Sequence, residues 1–410
     1  MSDSLQAPIV EGPPSPTILA QIFDPVNRAD PFSLYERLRE RAVWREPDGL
    51  YVVSRYEDVS RLIRDPRLSA DPDNSPRGGI GFSFLSMDPP RHDRLRRITM
   101  RHFGPPHEPG RVEAMTPVLE AMVKQLIDQL DGRREIDVVA DVAYPFPVAA
   151  IADLLGVPRE DEPKFHAWSE AILQATDRDP TKPGQRSEGG EKAFQELAGY
   201  MSGLINARRG DPRDDMLSRM VNDDDGPDGA MATQDMVEVA VLLLLAGHET
   251  TVNLISNGML TLLRLPKLLQ RFRAEPGLAP ALVEELLRYE APIQSALRAS
   301  LCDIEVAGTT IPKGSPVQLM LAAASRDPRR FDQADQFLPD RPNNQHMGFG
   351  SGIHACFGAP LARLEGQIAL RELARRLIDP KLMRDPPPYR FNPTLRGPRD
   401  LWITIGGVAP

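Results

Sequence analysis

The 410-residue chain is 41% hydrophobic and 26% charged, the balance of an ordinary globular protein able to bury a large core. Its two cysteines, Cys302 and Cys356, exclude a disulfide-stapled scaffold, and its net charge of −9 argues against nucleic acid as a general partner. The opening residues, MSDSLQAPIVEGPPSPT, have neither a basic start followed by an apolar run nor a membrane-anchor pattern, so a cytoplasmic protein with no membrane attachment is expected.

Residues 1–20 read as a lightly ordered tail and 21–410 as a single domain. Pro31–Arg41 has the apolar spacing of a short helix, Gly49–Ser54 alternates like a strand, and Glu57–Arg64 returns to helical spacing. Helical periodicity dominates from about Arg91 to Leu265, broken by Gly-, Pro- and Asp-rich loops at Asp177–Gly190 and Asn222–Gly229. Strand-like pieces follow at Asp303–Val306 and Val317–Leu321, and a last hairpin is expected over Asn392–Ile405. The fold class is therefore mainly α with a small β region.

Within the helical body, Thr233 to Leu265 stands out, with Thr233 as a candidate N-cap and Pro266 as a stop. Its first half, VAVLLLLAG, is apolar all round, as in a helix enclosed by other helices; the apolar run is too short for a membrane span and is followed at once by His248 and Glu249. A carboxylate and two threonines in AGHETT, residues 246–251, interrupt a buried helix, where an unpartnered acid costs several kcal/mol. The plain alternative is that Glu249 reaches a solvent-facing groove. Mid-helix threonines can bond the carbonyl one turn back, which beside Gly247 leaves room for a small ligand.

A lone cysteine is most often buried filler, and Cys302 is read so. Cys356 lies in GFGSGIHACFGAPLAR, residues 348–363, where Gly350, Gly352 and Gly358 permit close backbone approach. A helix starting near Ala359 would set its positive end beside the sulfur and favour thiolate. Metal ligation or nucleophilic attack both fit, and His354 would be the base for the second.

Phe349-Gly350-Ser-Gly-Ile-His354-Ala-Cys356-Phe-Gly358 resembles the heme-binding loop FGxGxHxCxG of the cytochrome P-450 superfamily, in its soluble bacterial type. The resemblance extends along the chain: AGHETT is similar to the oxygen-activating stretch of the family's long central helix, Glu285-Leu-Leu-Arg288 to its ExxR motif, and Phe337-Leu-Pro-Asp-Arg341 to the element that follows. It implies a cytochrome P-450 fold, with the long helix over a heme b (iron protoporphyrin IX). Cys356 would be the thiolate ligand of the iron, with Phe349, Gly350 and Gly358 in the loop around it. Ala246, Gly247, Glu249 and Thr250 would form the opposite wall, Thr250 steadying dioxygen and Glu249 delivering protons. Glu285, Arg288 and Arg341 would form a structural ion-pair network, and His92, Arg96, Arg298 and His354 would bind the heme propionates.

The same resemblance implies a monomeric monooxygenase that inserts one atom of O2 into a hydrophobic small molecule, with electrons from a separate ferredoxin or flavodoxin and its reductase. Arg91, Arg94, Arg97 and Arg101 would then be either a solvated helix face or a docking site for that acidic donor. The substrate pocket would be built from the Arg77–Met87 loop with Phe82, Phe84 and Leu85, from Leu242, Leu245 and Ala246, from Ile293 and Gln294 of the stretch Ile293–Leu297, and from the hairpin tip near Leu395. The rivals are a peroxide-driven peroxygenase, a non-catalytic heme-based binding or sensor protein, and a colourless Cys356/His354 hydrolase.

Overall fold

The computed structural model describes residues 16–76, 81, 83–104, 107–108, 110–176, 188–223, 226 and 228–410. Of the expected tail, residues 1–15 lie outside the described residues, and by Thr17 the chain is capping a helix, Ile18–Phe23. Most of the Asp177–Gly190 loop and part of Asn222–Gly229 also lie outside them. The short helices expected early in the chain are Phe32–Arg39 and Tyr56–Leu62, with the strand Tyr51–Val53 between them.

The helices are arranged around Thr233–Arg264, 32 residues long and therefore about 48 Å at 1.5 Å per residue. By length and composition this helix could cross a bilayer, yet 78% of its most apolar window is buried inside the protein. The helices Pro145–Leu155, Glu188–Gly210 and Ala359–Arg376 enclose it. One contact is close enough to forbid a side chain: a Cβ on Gly258 would fall 2.8 Å from Leu370 and 2.9 Å from Leu286. Thr233 is not the N-cap. Ala232 occupies that position, and the Thr233 hydroxyl instead accepts a bond from Arg209 at 3.0 Å.

The β part is small. A five-stranded sheet runs Val43–Arg45, Tyr51–Val53, Pro316–Leu319, Ala296–Ser300, Leu68–Ser69, with only the Tyr51–Val53 to Pro316–Leu319 pair parallel. It covers a second apolar core containing Val53, Leu62, Ile304 and Leu319, and Cys302 packs half-buried at that core's margin. The expected Asn392–Ile405 hairpin is not formed as such. Residues 388–399 close on themselves through Arg390 N–H to Gly397 O and Arg399 N–H to Pro388 O. Trp402–Thr404 pairs elsewhere, with Lys381–Leu382 on one side and Glu135–Asp137 on the other. That last strand also lies within the Arg91–Leu265 stretch expected to be dominated by helical periodicity. Pattern alone could not assign these partners, since they lie far away in sequence.

Three of the outer arginines of the Arg91–Phe103 helix are paired with acids, although Arg91 and Arg97 stay more than half exposed. Arg91 bonds Asp235 at 2.9 Å, Arg94 donates to the carbonyls of Asp228 and Ala230, Arg97 bonds Asp228, and Arg101 holds both Asp223 and Asp228. They clamp the approach to the central helix, and Gly226 has no room for a Cβ because the Arg101 guanidinium would be 2.5 Å away. Substituting Arg101, 18% exposed and bonded to two acids, with Gln should cost about 1–3 kcal/mol in denaturant unfolding. Arg97→Gln, at a position 56% exposed, should cost under about 1 kcal/mol.

Candidate active site

The site is anchored from below by a buried ion-pair network. Glu285 and Arg288 share one face of the helix Ala279–Tyr289 and meet through two bonds of 2.8 and 2.9 Å. Arg341 reaches the same carboxylate at 3.2 Å, and the Leu338 N–H and the Asn344 amide donate to it as well. The remaining donors of Arg288 satisfy the carbonyls of Ser325, Ala334 and Gln336, and Arg341 those of Asp332, Gln333 and Gln336. These bonds pin an irregular, partly exposed segment by its carbonyls, and it leads directly into the cysteine loop.

In that loop the Cys356 N–H bonds Phe349 O at 2.8 Å, while Gly350 and Gly352 adopt φ of 64° and 74°, the left-handed region that glycine enters freely. At Gly358 a Cβ would meet nothing within 4 Å, so space lies open beside the sulfur-bearing turn. Cys356 itself is exposed, yet protein crowds it enough that desolvation pushes its thiol pKa up. A thiol both reachable and desolvated sits on the wall of an internal space. The Gly358 and Ala359 N–H groups and the charges of Arg96 and Arg363 act in the thiolate-favouring direction expected from the helix end, and burial outweighs them.

A group of cationic side chains gathers beside this loop. The rings of His92 and His354 lie 4.5 Å apart, and Arg96 donates to Ala355 O at 2.7 Å. His354 is pushed down to about 3 by burial and then by Arg298 and His92, and burial lowers Arg96 and Arg298 as well. His92 Nε2 and His354 Nδ1 are buried without a partner. Crowded cations and unused ring nitrogens together make a receptacle for carboxylates or another anion. Among the described residues no three His, Cys, Asp or Glu side chains group to hold a metal ion, so a metal at Cys356 needs ligands from a non-protein group. A flat, dianionic macrocycle satisfies the thiol, the cations and the open space at once.

On the other side, Ala246 is exposed in the middle of the buried central helix, flanked by half-buried Leu245, Gly247 and Thr250. Thr250 and Thr251 donate to Ala246 O and Gly247 O at 3.0 and 3.1 Å, the back-bonding expected for mid-helix threonines. Glu249 does not reach solvent: it is 2% exposed and lies 3.3 Å from Arg390 of the 388–399 segment. His248 is held neutral, lowered to about 4 by burial, with Nδ1 on Leu244 O. Glu365, fully buried on the post-cysteine helix, bonds the Thr251 side chain, and desolvation raises its pKa well above the carboxylate range. This contact ties the cysteine-bearing element to the AGHETT stretch.

The expected pocket wall needs correction. Gln294 is buried and structural, accepting from the Tyr35 hydroxyl and donating to Ala291 O, because an irregular turn there needs its amide. Phe84 is buried against Phe357, with ring centroids 5.7 Å apart, and Leu242 is buried in the main core. Phe82 lies outside the described residues. Leu85 and Leu245 remain accessible, and Ile293 bridges Leu395 by backbone pairing. Leu297, the end of the expected Ile293–Leu297 stretch, is 37% exposed beside Arg298.

These elements match known proteins. The family description Cytochrome P450 matches residues 27–378. The chain belongs to the cytochrome P450 family. It is 38% identical over 393 residues to cytochrome P450 monooxygenase PikC of Streptomyces venezuelae, covering 92% of this chain and 91% of the relative. It is 33% identical over 401 residues to 6-deoxyerythronolide B hydroxylase of Saccharopolyspora erythraea, covering 92% of this chain and 96% of the relative. The ligand-free crystal structure of Mycobacterium smegmatis CYP164A2 superposes with a TM-score of 0.85 at 39% identity, covering 94% of this chain and 99% of that one.

The protein is thus a P450 monooxygenase, and its family carries heme. Arg390 and Glu365 are the two polar partners of the AGHETT stretch that the sequence reading missed. Arg390 lies 141 positions after Glu249, and Glu365 sits inside an ordinary amphipathic pattern, so neither carries a local signal. Arg288→Ala in this P450 should lower unfolding free energy by about 3–5 kcal/mol, because it leaves a buried carboxylate short of charge. The double variant His92→Phe, Arg96→Leu should fold with a nearly unchanged thermal midpoint yet lose heme faster to a scavenging apoprotein.

Proposed function

We propose that this P450 binds heme b through Cys356 and hydroxylates a hydrophobic small molecule. Electrons would come from a separate ferredoxin- or flavodoxin-type donor in the cytoplasm. The observation that carries the reading is the opening at Ala246, walled by the Thr250 hydroxyl and one residue from the ion-paired, buried Glu249. Support for an organic C–H substrate comes from the relatives named as hydroxylases.

Heme supplies the redox chemistry: with two electrons and two protons, one atom of dioxygen enters a substrate C–H bond and the other leaves as water. The residues handle everything else. Cys356 would supply a thiolate from one side, its charge favoured by the Gly358 and Ala359 N–H groups. His92, Arg96, Arg298 and His354 would receive the two carboxylates, which relieves the cost of burying those cations together. Thr250, whose hydroxyl now donates to Ala246 O, would turn to donate toward dioxygen. Glu249, held by Arg390, would pass protons to that hydroxyl. Leu85, Leu245, Ala246, Leu297 and Leu395 present apolar surface, which favours an apolar substrate.

The acid and the alcohol in AGHETT favour this route over a peroxide-driven one. Dithionite and carbon monoxide should give the strongly red-shifted Soret band of thiolate-ligated heme, and Cys356→Ala should abolish it; a histidine-type spectrum or a colourless protein overturns the reading. Thr250→Ala should keep that spectrum while sending most reducing equivalents to hydrogen peroxide, measured as peroxide formed per NADPH oxidised.

A further inference from the structure

One row of the central helix is left unexplained by the chemistry above. Glu249, Asn253, Asn257 and Thr261 stand at i, i+4, i+8 and i+12, a single ridge along the helix, and all four are buried. The ridge faces the 388–399 segment and the turn before it. Glu249 pairs with Arg390, Asn253 packs so tightly on Gly397 that a Cβ there would lie 2.0 Å from its amide oxygen, and Asn257 donates to Glu290 O and Arg396 O at 3.2 and 2.9 Å. At its far end Thr261 opens on a pocket of about 500 Å³ that is also lined by Arg264, Tyr289, Glu290 and Asp385.

Packing explains only part of this row. Asn257 pins irregular backbone through its NH2 group, and Thr261 bonds back to Asn257 O at 2.7 Å. Asn253 does neither: both its Nδ2 and its Oδ1 are buried without a partner, and Asn257 Oδ1 and Tyr389 Oη share that state. Each such group costs about 1–3 kcal/mol if left dry, and buried polar groups of this kind are characteristically satisfied by internal water. Two other polar groups near Glu249 among the described residues are committed elsewhere. His248 is neutral with Nδ1 committed to Leu244 O, and the Tyr144 hydroxyl reaches only His166 O, at 3.4 Å.

We propose that this ridge is a water-lined seam that carries protons from the pocket at Thr261 to Glu249, with Asn253 as the residue that positions the water. The inference rests on the monooxygenase reading, in which each turnover draws two protons inward. When Glu249 gives up its proton toward Thr250, a water at Asn253 returns one to the carboxylate. That water is replenished by transfer along the seam from solvent, so no net charge is left inside. Arg390 holds the carboxylate at the head of the row.

The test uses the heme-loaded full chain and two variants, Asn253→Leu and Asn253→Ser. NADPH-driven oxygen consumption is followed with a plant-type ferredoxin and its reductase as donors and no organic substrate, in H2O and in D2O. Asn253→Leu should slow consumption about tenfold, short of the loss expected on removing a general acid outright. Its solvent isotope effect should rise, and Asn253→Ser, which still holds water, should restore both. A high-resolution crystal structure of the unmodified protein should show ordered water on both amide atoms of Asn253. An unchanged rate and isotope effect in Asn253→Leu, or a dry Asn253 in the crystal, overturns the seam. The reduced carbon monoxide spectrum separates this from failure of the underlying reading: a normal spectrum with an indifferent Leu variant removes only the seam, whereas an abnormal spectrum in the unmodified protein removes the monooxygenase reading itself.

Discussion

The fully buried Glu285 carboxylate is the point on which the site's architecture depends. Two guanidinium groups, a backbone N–H and an amide converge on it, and the same guanidinium groups reach on to carbonyls of the irregular stretch between Ser325 and Arg341. A buried ion pair is weak evidence for net stability, since desolvation offsets much of the attraction. Its value here is geometric. It pins irregular backbone by its carbonyls, and that backbone delivers the cysteine loop to a defined place under the central helix.

From that fixed loop the charge distribution follows as two unlike environments. Beside Cys356 burial, reinforced by Arg298 and His92, drives His354 neutral, and burial lowers Arg96 and Arg298 as well. Such an arrangement is unfavourable by itself and becomes favourable when a dianionic group is bound, which couples cofactor binding to local order. Across the opening the balance is different: Glu249 has Arg390, His248 is neutral, and Glu365 is pushed toward its protonated form. One side is rich in cations and the other pairs or neutralises its titratable groups.

The Arg91–Phe103 helix joins these environments to the rest of the protein. Its inner face carries His92 and Arg96 to the cysteine loop, while its outer arginines grip the acidic approach to the central helix. Arg91, Arg97 and Arg101 each have a carboxylate partner, whereas Arg94 is bonded to backbone carbonyls.

Local sequence by itself determined what is locally encoded. The all-round apolar character of Val239–Gly247 required an enclosed helix, the glycines around Cys356 required a loop with left-handed turns, and the i,i+3 spacing of Glu285 and Arg288 required a shared face. Motif order was enough to identify the family. Tertiary structure alone decided the partners. Arg390 reaches Glu249, Trp402–Thr404 pairs with Glu135–Asp137, Gln294 turns inward to an irregular turn, and Arg97 and Arg101 pair with Asp223 and Asp228, over a hundred residues away. The physical reason is the same in each case. Periodicity and capping act over one or two turns of chain, whereas ion pairs, sheet register and the burial of amides such as Asn253 depend on which distant surface the fold brings against them.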